Sequence, residues 1–584
     1  MSESKEKLLE SKILELEAKI KSLKTKKKYG LVWDDEKNPE EVIKLCKTNI
    51  PVLKEVKSKE IISDKNKISN ILIEGDNYYA LSVLNYTHQG KVGVIYIDPP
   101  YNTGEKDFIY NDEYIDLDDS YRHSKWLSFM ERRLELAKNL LTDEGVIFIS
   151  IDNNEQANLK LLCDKIFGET SFIANIGLEI TKTQGMKVRS AQLGSIVKNY
   201  EYVLVYSRNP DRKIVKNILY DKINYFDTHF NLIYKHPRIT SINALFVEKT
   251  FSKYIDEYKK IKSIKKFSLR YINDLCLLIP EFRDELYKHS SEICRLMDCD
   301  ISLSKSELNL IKVDKIINIR GYFITKVSTG KIQQLAFLND GVKQSDDFNS
   351  ELARCSIRGD LWKGFYSDMM NVEKEGGVEF KNGKKPLRLI KQLIKWVSKK
   401  EDIVLDFFAG SGTTGHAVLD LNKEDEGNRQ FILCTNNENK ICEEITLSRI
   451  KNVIQGFKDS NLKYFKTTLI PKSYNRDEMK IRVTEECTEM LCLREGIHEE
   501  IKNKSAYKIF RQRDKIMAVY YFLSQKELPN LKKELDKMKG EKILYCFTLD
   551  PLSLNENDFE DWKDVRLEPI PQKILDIYKE IHEY

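Results

Sequence analysis

Two short stretches combine residue types that can do chemistry. Asp98-Pro99-Pro100-Tyr101 follows the apolar run VIYI. Consecutive prolines fix φ and forbid helix continuation, so Asp98 is presented rigidly with the Pro99 carbonyl beside it. A carboxylate and a carbonyl set together can accept two hydrogen bonds from one exocyclic amino group. Tyr101 adds an aromatic face on which a planar base can stack. Tyr101→Phe is therefore expected to be mild.

The second stretch runs from Asp406 through Phe408, Gly410, Gly412 and Thr413 to Thr414, after the apolar run IVL. Its glycines let backbone approach a ligand at a helix start. A phosphate-binding Walker loop is excluded, because His416 stands where lysine is required. Gly410, Gly412 and Gly415 satisfy a dinucleotide fingerprint, and an S-adenosylmethionine loop fits equally well. In either case an acid after the next strand would hold ribose hydroxyls; Glu438 fits, with Asn437 before it. The Asp98–Tyr101 stretch favours S-adenosylmethionine, because a hydride-transfer enzyme has no evident use for it.

These stretches need strand ends to hold them, and ligands in open α/β sheets bind beyond the carboxyl ends of the strands. Strands ILIE, KVGVIYI, VIFISI and EYVLVYS alternate with helices over 71–207, as in half of a doubly wound parallel sheet. Helices are expected over NYYALSVLNYTHQ and 124–141. The rhythm fails over 211–380 and returns with helix LRLIKQLIKWVSK, strand DIVLDFF, helix TGHAVLDLN, strand RQFILC and a helix over 440–455. The expected organisation is an N-terminal helix (1–29), an arm (30–70), a catalytic half (71–210), an inserted domain (211–380), a cofactor half (381–460) and an α/β tail (461–584). Leu9, Ile13, Leu16, Ile20 and Leu23 form a short a/d seam, suited either to dimerisation or docking, or to packing on the same chain.

Length and composition bound the rest. The 584 residues and 68.4 kDa allow roughly four domains. Mean hydropathy is −0.48 and there is no long apolar run, so no membrane span is expected. The polar start MSESKEKLLESK lacks the apolar core of a secretory signal, so a cytoplasmic protein is expected. Lys+Arg 96 against Asp+Glu 91 leaves +5, so any nucleic-acid contact must come from local basic faces. Cys 11 is an odd count without a CxxC pair or a histidine cluster, which points to free thiols and no metal centre.

The ordered motifs resemble a known family. D-P-P-Y together with F-x-G-x-G marks amino-methylating DNA methyltransferases, and catalytic motif first, cofactor motif last is their permuted β-class order. GLVWDDEKNPEEV at 30–42, LIEGDNYYAL at 72–81, YIDPPYNTG at 96–104, RHSKWLSFMERRL at 122–134, GVIFISIDNNE at 145–155 and TEMLCLREG at 488–496 resemble the methyltransferase (Mod) subunits of Type III restriction–modification systems. The resemblance implies a Rossmann-like α/β fold and methylation of adenine N6 in double-stranded DNA from S-adenosyl-L-methionine. It also implies base flipping, a homodimer, a separate restriction (helicase–nuclease) subunit and a target recognition domain at 211–380. Asp98, Pro99, Pro100 and Tyr101 are then catalytic. Asp76, Lys385, Pro386, Asp406, Phe408, Gly410, Gly412, Thr413 and Glu438 lie at the cofactor. Arg122, His123 and Lys125 either touch DNA phosphate or form a polar helix start. Lys259, Lys262 and Lys266, in a basic run with Phe267 and Tyr271, either track the phosphate backbone or form a solvated face. Asp at position 98 favours adenine over cytosine by family habit. The rival readings are a solitary β-class enzyme acting on adenine or cytosine, a Rossmann-type NAD-dependent enzyme, and a non-catalytic DNA-binding module.

Overall fold

The computed structural model describes residues 40–582 except 65, 66, 106, 112, 183–185, 370, 371, 381, 382, 458, 459, 474, 550–553 and 555–558. The expected helix over 1–29, its Leu9–Leu23 seam and the start of the arm lie outside the described residues. The chain divides into two compact units, one formed by residues 1–216 with 368–584 and the other by 217–367.

The first unit is built on a mixed sheet of β1 (Asn49–Glu55), β2 (Ser69–Glu74), β3 (Val92–Ile97), β4 (Leu141–Ile151), β5 (Phe172–Glu179), β6 (Tyr200–Ser207), β7 (Ile403–Asp406), β8 (Gln430–Thr435) and β9 (Asn461–Pro471). These strands lie in the order β1-β9-β2-β8-β7-β3-β4-β6-β5. The centre, from β9 to β4, is parallel. Every residue of β3 is buried, as expected of a strand covered on both faces. The β3 and β7 strands pair with Ile403 opposite Val92 and Leu405 opposite Ile95. Segments some three hundred positions apart in sequence therefore end side by side.

The helices of this unit are α1 (Asn77–Thr87), α2 (Arg122–Leu140), α3 (Gln156–Phe167), α4 (Leu387–Val397), α5 (Thr413–Asp425) and α6 (Leu447–Phe457). Leu389, Ile390, Leu393, Ile394 and Val397 repeat at helical spacing and form the buried face of α4, which packs on α5.

Some expectations differ from what is observed. EYVLVYS does form a strand, but it runs antiparallel to β4. It is reached through β5, a strand that the sequence reading did not single out, instead of through a crossover helix. The helix expected over 440–455 begins as a π-turn at Ile441–Thr446 before α6. The tail forms a sheet in the order Glu499–Asn503, Tyr507–Gln512, Lys515–Tyr520, Glu541–Phe547, Val565–Ile570. Its Phe510, Met517, Val519, Ile543 and Tyr545 join the same apolar core as α1 and α2.

The second unit holds a six-stranded sheet that includes Leu232–Lys235, Ile293–Asp298 and Ile332–Phe337, and a smaller sheet of Tyr220–Lys222, Val342–Gln344 and Leu352–Ile357. The strands of both sheets pair antiparallel. Its core includes Phe226, Phe251, Tyr258, Phe282 and Leu286. All eleven cysteines are free. Among the described residues, no helix is long and apolar enough to cross a membrane.

One buried cation ties α2 to Glu40 and to the start of α1. Arg133 is fully buried and donates to both Glu40 carboxylate oxygens at 2.7 and 2.8 Å and to the Phe129 carbonyl at 2.9 Å. It also donates to Asn77 Oδ1 at 2.5 Å and stacks 3.7 Å over Phe129. Removing one partner from such a set strands the other charge without water. Arg133→Met should therefore destabilise the first unit by about 3–5 kcal/mol, read from denaturant unfolding of the full chain.

Candidate active site

Asp98 begins the turn that leaves β3, and Asp406 ends β7. Parallel pairing of these neighbours brings the two chemical stretches to one end of the sheet. The prolines do not act alone in setting the first turn. Trp126 Nε1 on α2 donates to the Pro100 carbonyl at 2.7 Å. Asn102 follows at φ 56°, a left-handed conformation that Asn tolerates better than most residues. It is held by donating to Glu155 Oε1 at 2.5 Å. Glu155 is fully buried and also accepts from Asn158 at 2.7 Å.

Around Asp98 lies a compact charge cluster. The Tyr101 hydroxyl lies 2.9 Å from Asp98 Oδ1 and 3.1 Å from Glu201 Oε2, each within donating reach. Lys385 Nζ donates to the Tyr101 hydroxyl at 2.7 Å and to Glu201 Oε2 at 3.0 Å, and lies 3.3 Å from Asp98 Oδ1. It also sits 4.7 Å over the Tyr101 ring. Two carboxylates thus share one ammonium. Burial pushes the Asp98 carboxyl above the ordinary carboxylate range, Lys385 pulls it back, and Glu201 pushes it up again. Burial works against the Lys385 charge, yet the two carboxylates hold its pKa above the usual lysine value. All contacts of Asp98 engage Oδ1, which leaves Oδ2 and the Pro99 carbonyl as acceptors without a hydrogen-bond partner among the described residues.

Lys385, expected at the cofactor, is therefore committed to Asp98, Tyr101 and Glu201. Glu201, on β6, escaped the sequence reading. Its only signal was an acidic residue opening the apolar strand EYVLVYS. The Tyr101 hydroxyl is also engaged, which corrects the view of Tyr101 as a stacking ring alone.

The glycine-rich loop is shaped from within. Gly410 and Gly412 have φ of 47° and 78°, so both need conformations that side chains disfavour. A Cβ on Gly412 would also meet the Thr446 methyl at 3.0 Å. A Cβ on Gly410 would meet only its own loop carbonyl, at 3.9 Å, so the loop presents bare backbone to open space there. Asp406 accepts from the Phe408 amide at 3.0 Å and from the Thr414 hydroxyl at 2.5 Å, which closes the loop onto the start of α5. Thr413 is buried and accepts from Arg449 Nη1 at 2.8 Å. Arg449 in turn donates to Glu375 at 3.0 Å, and Glu375 accepts from the Leu387 amide just after Pro386. Phe408 is partly buried against Phe129, with ring centroids 6.0 Å apart. Asp406 and Thr413 thus hold the loop's shape, while Gly410 and Gly412 give it its open surface.

The remaining candidates divide. Asp76 caps α1 by accepting from the Tyr78 amide at 2.7 Å and lies 3.7 Å from Arg133. Glu438 is exposed in the turn after β8. His123 Nδ1 is 2.6 Å from Glu155, Arg122 Nε donates to His123 at 3.2 Å, and Lys125 pairs with Asp119 at 2.7 Å. In the second unit, Lys259 pairs with Asp256 at 2.9 Å and Lys262 with Asp274 at 2.8 Å, while Lys266 is exposed.

Burial raises the Asp406 carboxyl from 3.8 to about 7. A carboxyl that binds its proton more tightly folded than unfolded contributes stability that is fully present below 3.8 and lost as pH rises through about 7. Asp406→Asn keeps an acceptor for the Phe408 amide and removes the titration. Its melting temperature should therefore fall less than that of the unsubstituted chain between about pH 4 and 7.

Comparison with known proteins accords with this geometry. Residues 92–447 match the family described as DNA methylase (N6_N4_Mtase). The chain is 32% identical to the probable type III restriction-modification enzyme HindVI Mod subunit of Haemophilus influenzae, over 68% of this chain and 52% of that protein. It is 30% identical to the EcoPI Mod subunit of Escherichia phage P1, over 64% of this chain and 59% of that protein. It is 31% identical to the type II methyltransferase M.KpnI of Klebsiella pneumoniae, over 70% of this chain and 93% of that protein. The match thus spans little more than half the length of the Type III relatives and nearly all of the Type II relative. With the family match running from the start of β3 to the start of α6, the chain belongs to the N6/N4 DNA methylase family.

Proposed function

We propose that the chain is the modification subunit of a Type III restriction–modification system, which methylates adenine N6 in double-stranded DNA. One observation carries the reading. Among the described residues, Asp98 Oδ2 and the Pro99 carbonyl are acceptors without a hydrogen-bond partner at the end of β3, beside the bare backbone of the Gly410 loop at the end of β7. The target base must leave the stack, because N6 is out of in-line reach within the duplex. The two acceptors take the N6 hydrogens and turn the nitrogen lone pair outward. The Tyr101 ring, partly buried beside Asp98, is the stacking surface on this reading.

The residues at the loop suit S-adenosylmethionine. Gly410 and Gly412 give backbone access, Phe408 an apolar wall, and Asp76, Pro386 and Glu438 stand at the neighbouring strand and helix ends. When bound, S-adenosylmethionine supplies an electrophilic methyl group on sulfur. The protein's part is positioning and electrostatics. The 217–367 unit is the target recognition domain on this reading, and a homodimer working with a separate helicase–nuclease subunit is the assembly it implies. The near-complete coverage of a Type II methyltransferase favours a second reading, a solitary methyltransferase. ATP-dependent DNA cleavage on adding a genomically adjacent subunit would separate the two.

The chain incubated with tritium-labelled S-adenosylmethionine and unmodified bacteriophage DNA should place label on N6-methyladenosine after digestion to nucleosides. Label on cytosine, or none, overturns the assignment. Asp98→Ala should lower transfer at least about a hundredfold while leaving S-adenosylmethionine binding by equilibrium dialysis nearly intact. Exchanging 217–367 for the same region of a relative should change the methylated sequence and keep the reaction.

A further inference from the structure

We propose that Glu201 is a positioning residue for the methyl-transfer site. It divides the Lys385 ammonium between two carboxylates and so keeps Asp98 a strong acceptor for the target amine. The inference rests on the functional reading above and goes beyond it, because it concerns what tunes Asp98.

A single cation facing one buried carboxylate would form a tight ion pair and blunt that carboxylate as an acceptor. Here Lys385 Nζ is closer to Glu201, at 3.0 Å, than to Asp98, at 3.3 Å. The Tyr101 hydroxyl stands between the two acids, at 2.9 and 3.1 Å. The other groups facing Asp98 offer no substitute. The Tyr96 hydroxyl is paired with Ser150 at 3.0 Å. Asp406, at the neighbouring strand end, is committed to Thr414 and Phe408. Glu201 is therefore the group that competes for Lys385.

The arrangement suits the charge change of the reaction. The bond from sulfur to the methyl group breaks with its electron pair staying on sulfur, and the N6 lone pair forms the new N–C bond. One N6–H bond then breaks, its pair returns to nitrogen, and Asp98 Oδ2 takes the proton. As Asp98 becomes neutral, the Tyr101 hydroxyl and the Lys385 ammonium turn towards Glu201, which they already touch. No donor is stranded at either stage.

The charges give the sign of the test. Glu201 raises the Asp98 carboxyl, whereas the Tyr101 hydroxyl lowers it. Methyl transfer should fall at low pH as Asp98 gains a proton and loses acceptor strength. In Glu201→Gln, Asp98 pairs alone with Lys385. The acid limb of single-turnover transfer to unmodified bacteriophage DNA should move to lower pH. The plateau rate should drop about tenfold, with S-adenosylmethionine binding unchanged. Tyr101→Phe should move the limb the opposite way, to higher pH. Glu201→Asp, which keeps the charge one methylene further back, should shift it less than Gln in the same direction, and decides the matter if Gln fails to fold. A merely structural loss would lower the plateau without moving the limbs in opposite directions. An acid limb that stays in place or rises in the Glu201 variants overturns the proposal. Absence of label from the unsubstituted chain would instead overturn the functional reading itself.

Discussion

The pairing of β3 with β7 is the constraint on which the rest of the site depends. Asp98 and Gly410 have no local reason to meet. They are neighbours because Val92–Ile97 and Ile403–Asp406 are adjacent parallel strands, and parallel strands place their carboxyl ends on the same side. Both strands are almost wholly apolar and buried, so a register slip would break core packing as well as chemistry. The positions of the two loops follow from the sheet. Their internal shapes are then set by side chains: Trp126 and Glu155 for the first, Asp406 and Arg449 for the second.

The site gathers charge in a region shielded from water. Arg133 with Glu40, Arg449 with Glu375, and Lys385 with Asp98 and Glu201 recur as one pattern, in which a buried cation pairs with acids from distant parts of the chain. Such pairs add little net stability compared with apolar packing, but losing one member is costly. The pattern therefore favours one arrangement of the loops over compact alternatives. Lys385 serves two acids at once through Asp98 Oδ1 and Glu201 Oε2, which leaves Asp98 Oδ2 without a hydrogen-bond partner among the described residues.

Much of the site was legible in the sequence. Asp98–Tyr101 and Asp406–Thr413 announce themselves, because proline and glycine restrict or release the backbone in ways that few other functions need. Their strands were legible too, since continuous β-branched runs bounded by turn residues have few other uses. What stayed hidden depends on three-dimensional proximity. Glu201 lies about a hundred residues from Asp98, and nothing at its own position says that it will face Tyr101. Lys385 was found, but its partner was misjudged, because a sequence position does not say which way a long flexible side chain will reach. The antiparallel sheets of 217–367 escaped notice because strands such as Tyr220–Lys222 and Ile317–Ile319 are too short to show a period. Residues 172–179 alternate weakly, as an outer strand with only two fully buried positions does.

The order of the strands also bears on how the chain is made. One edge of β3 receives β4 soon after it leaves the ribosome, but its other edge waits for β7. From residue 97 to residue 406 is 309 positions, which at ~5–20 residues per second is roughly 15–60 s of synthesis. For that interval an apolar strand offers unpaired N–H and C=O groups to any other extended chain. A motif order that places the catalytic half first thus leaves one edge of the central strand open until the cofactor half has been made.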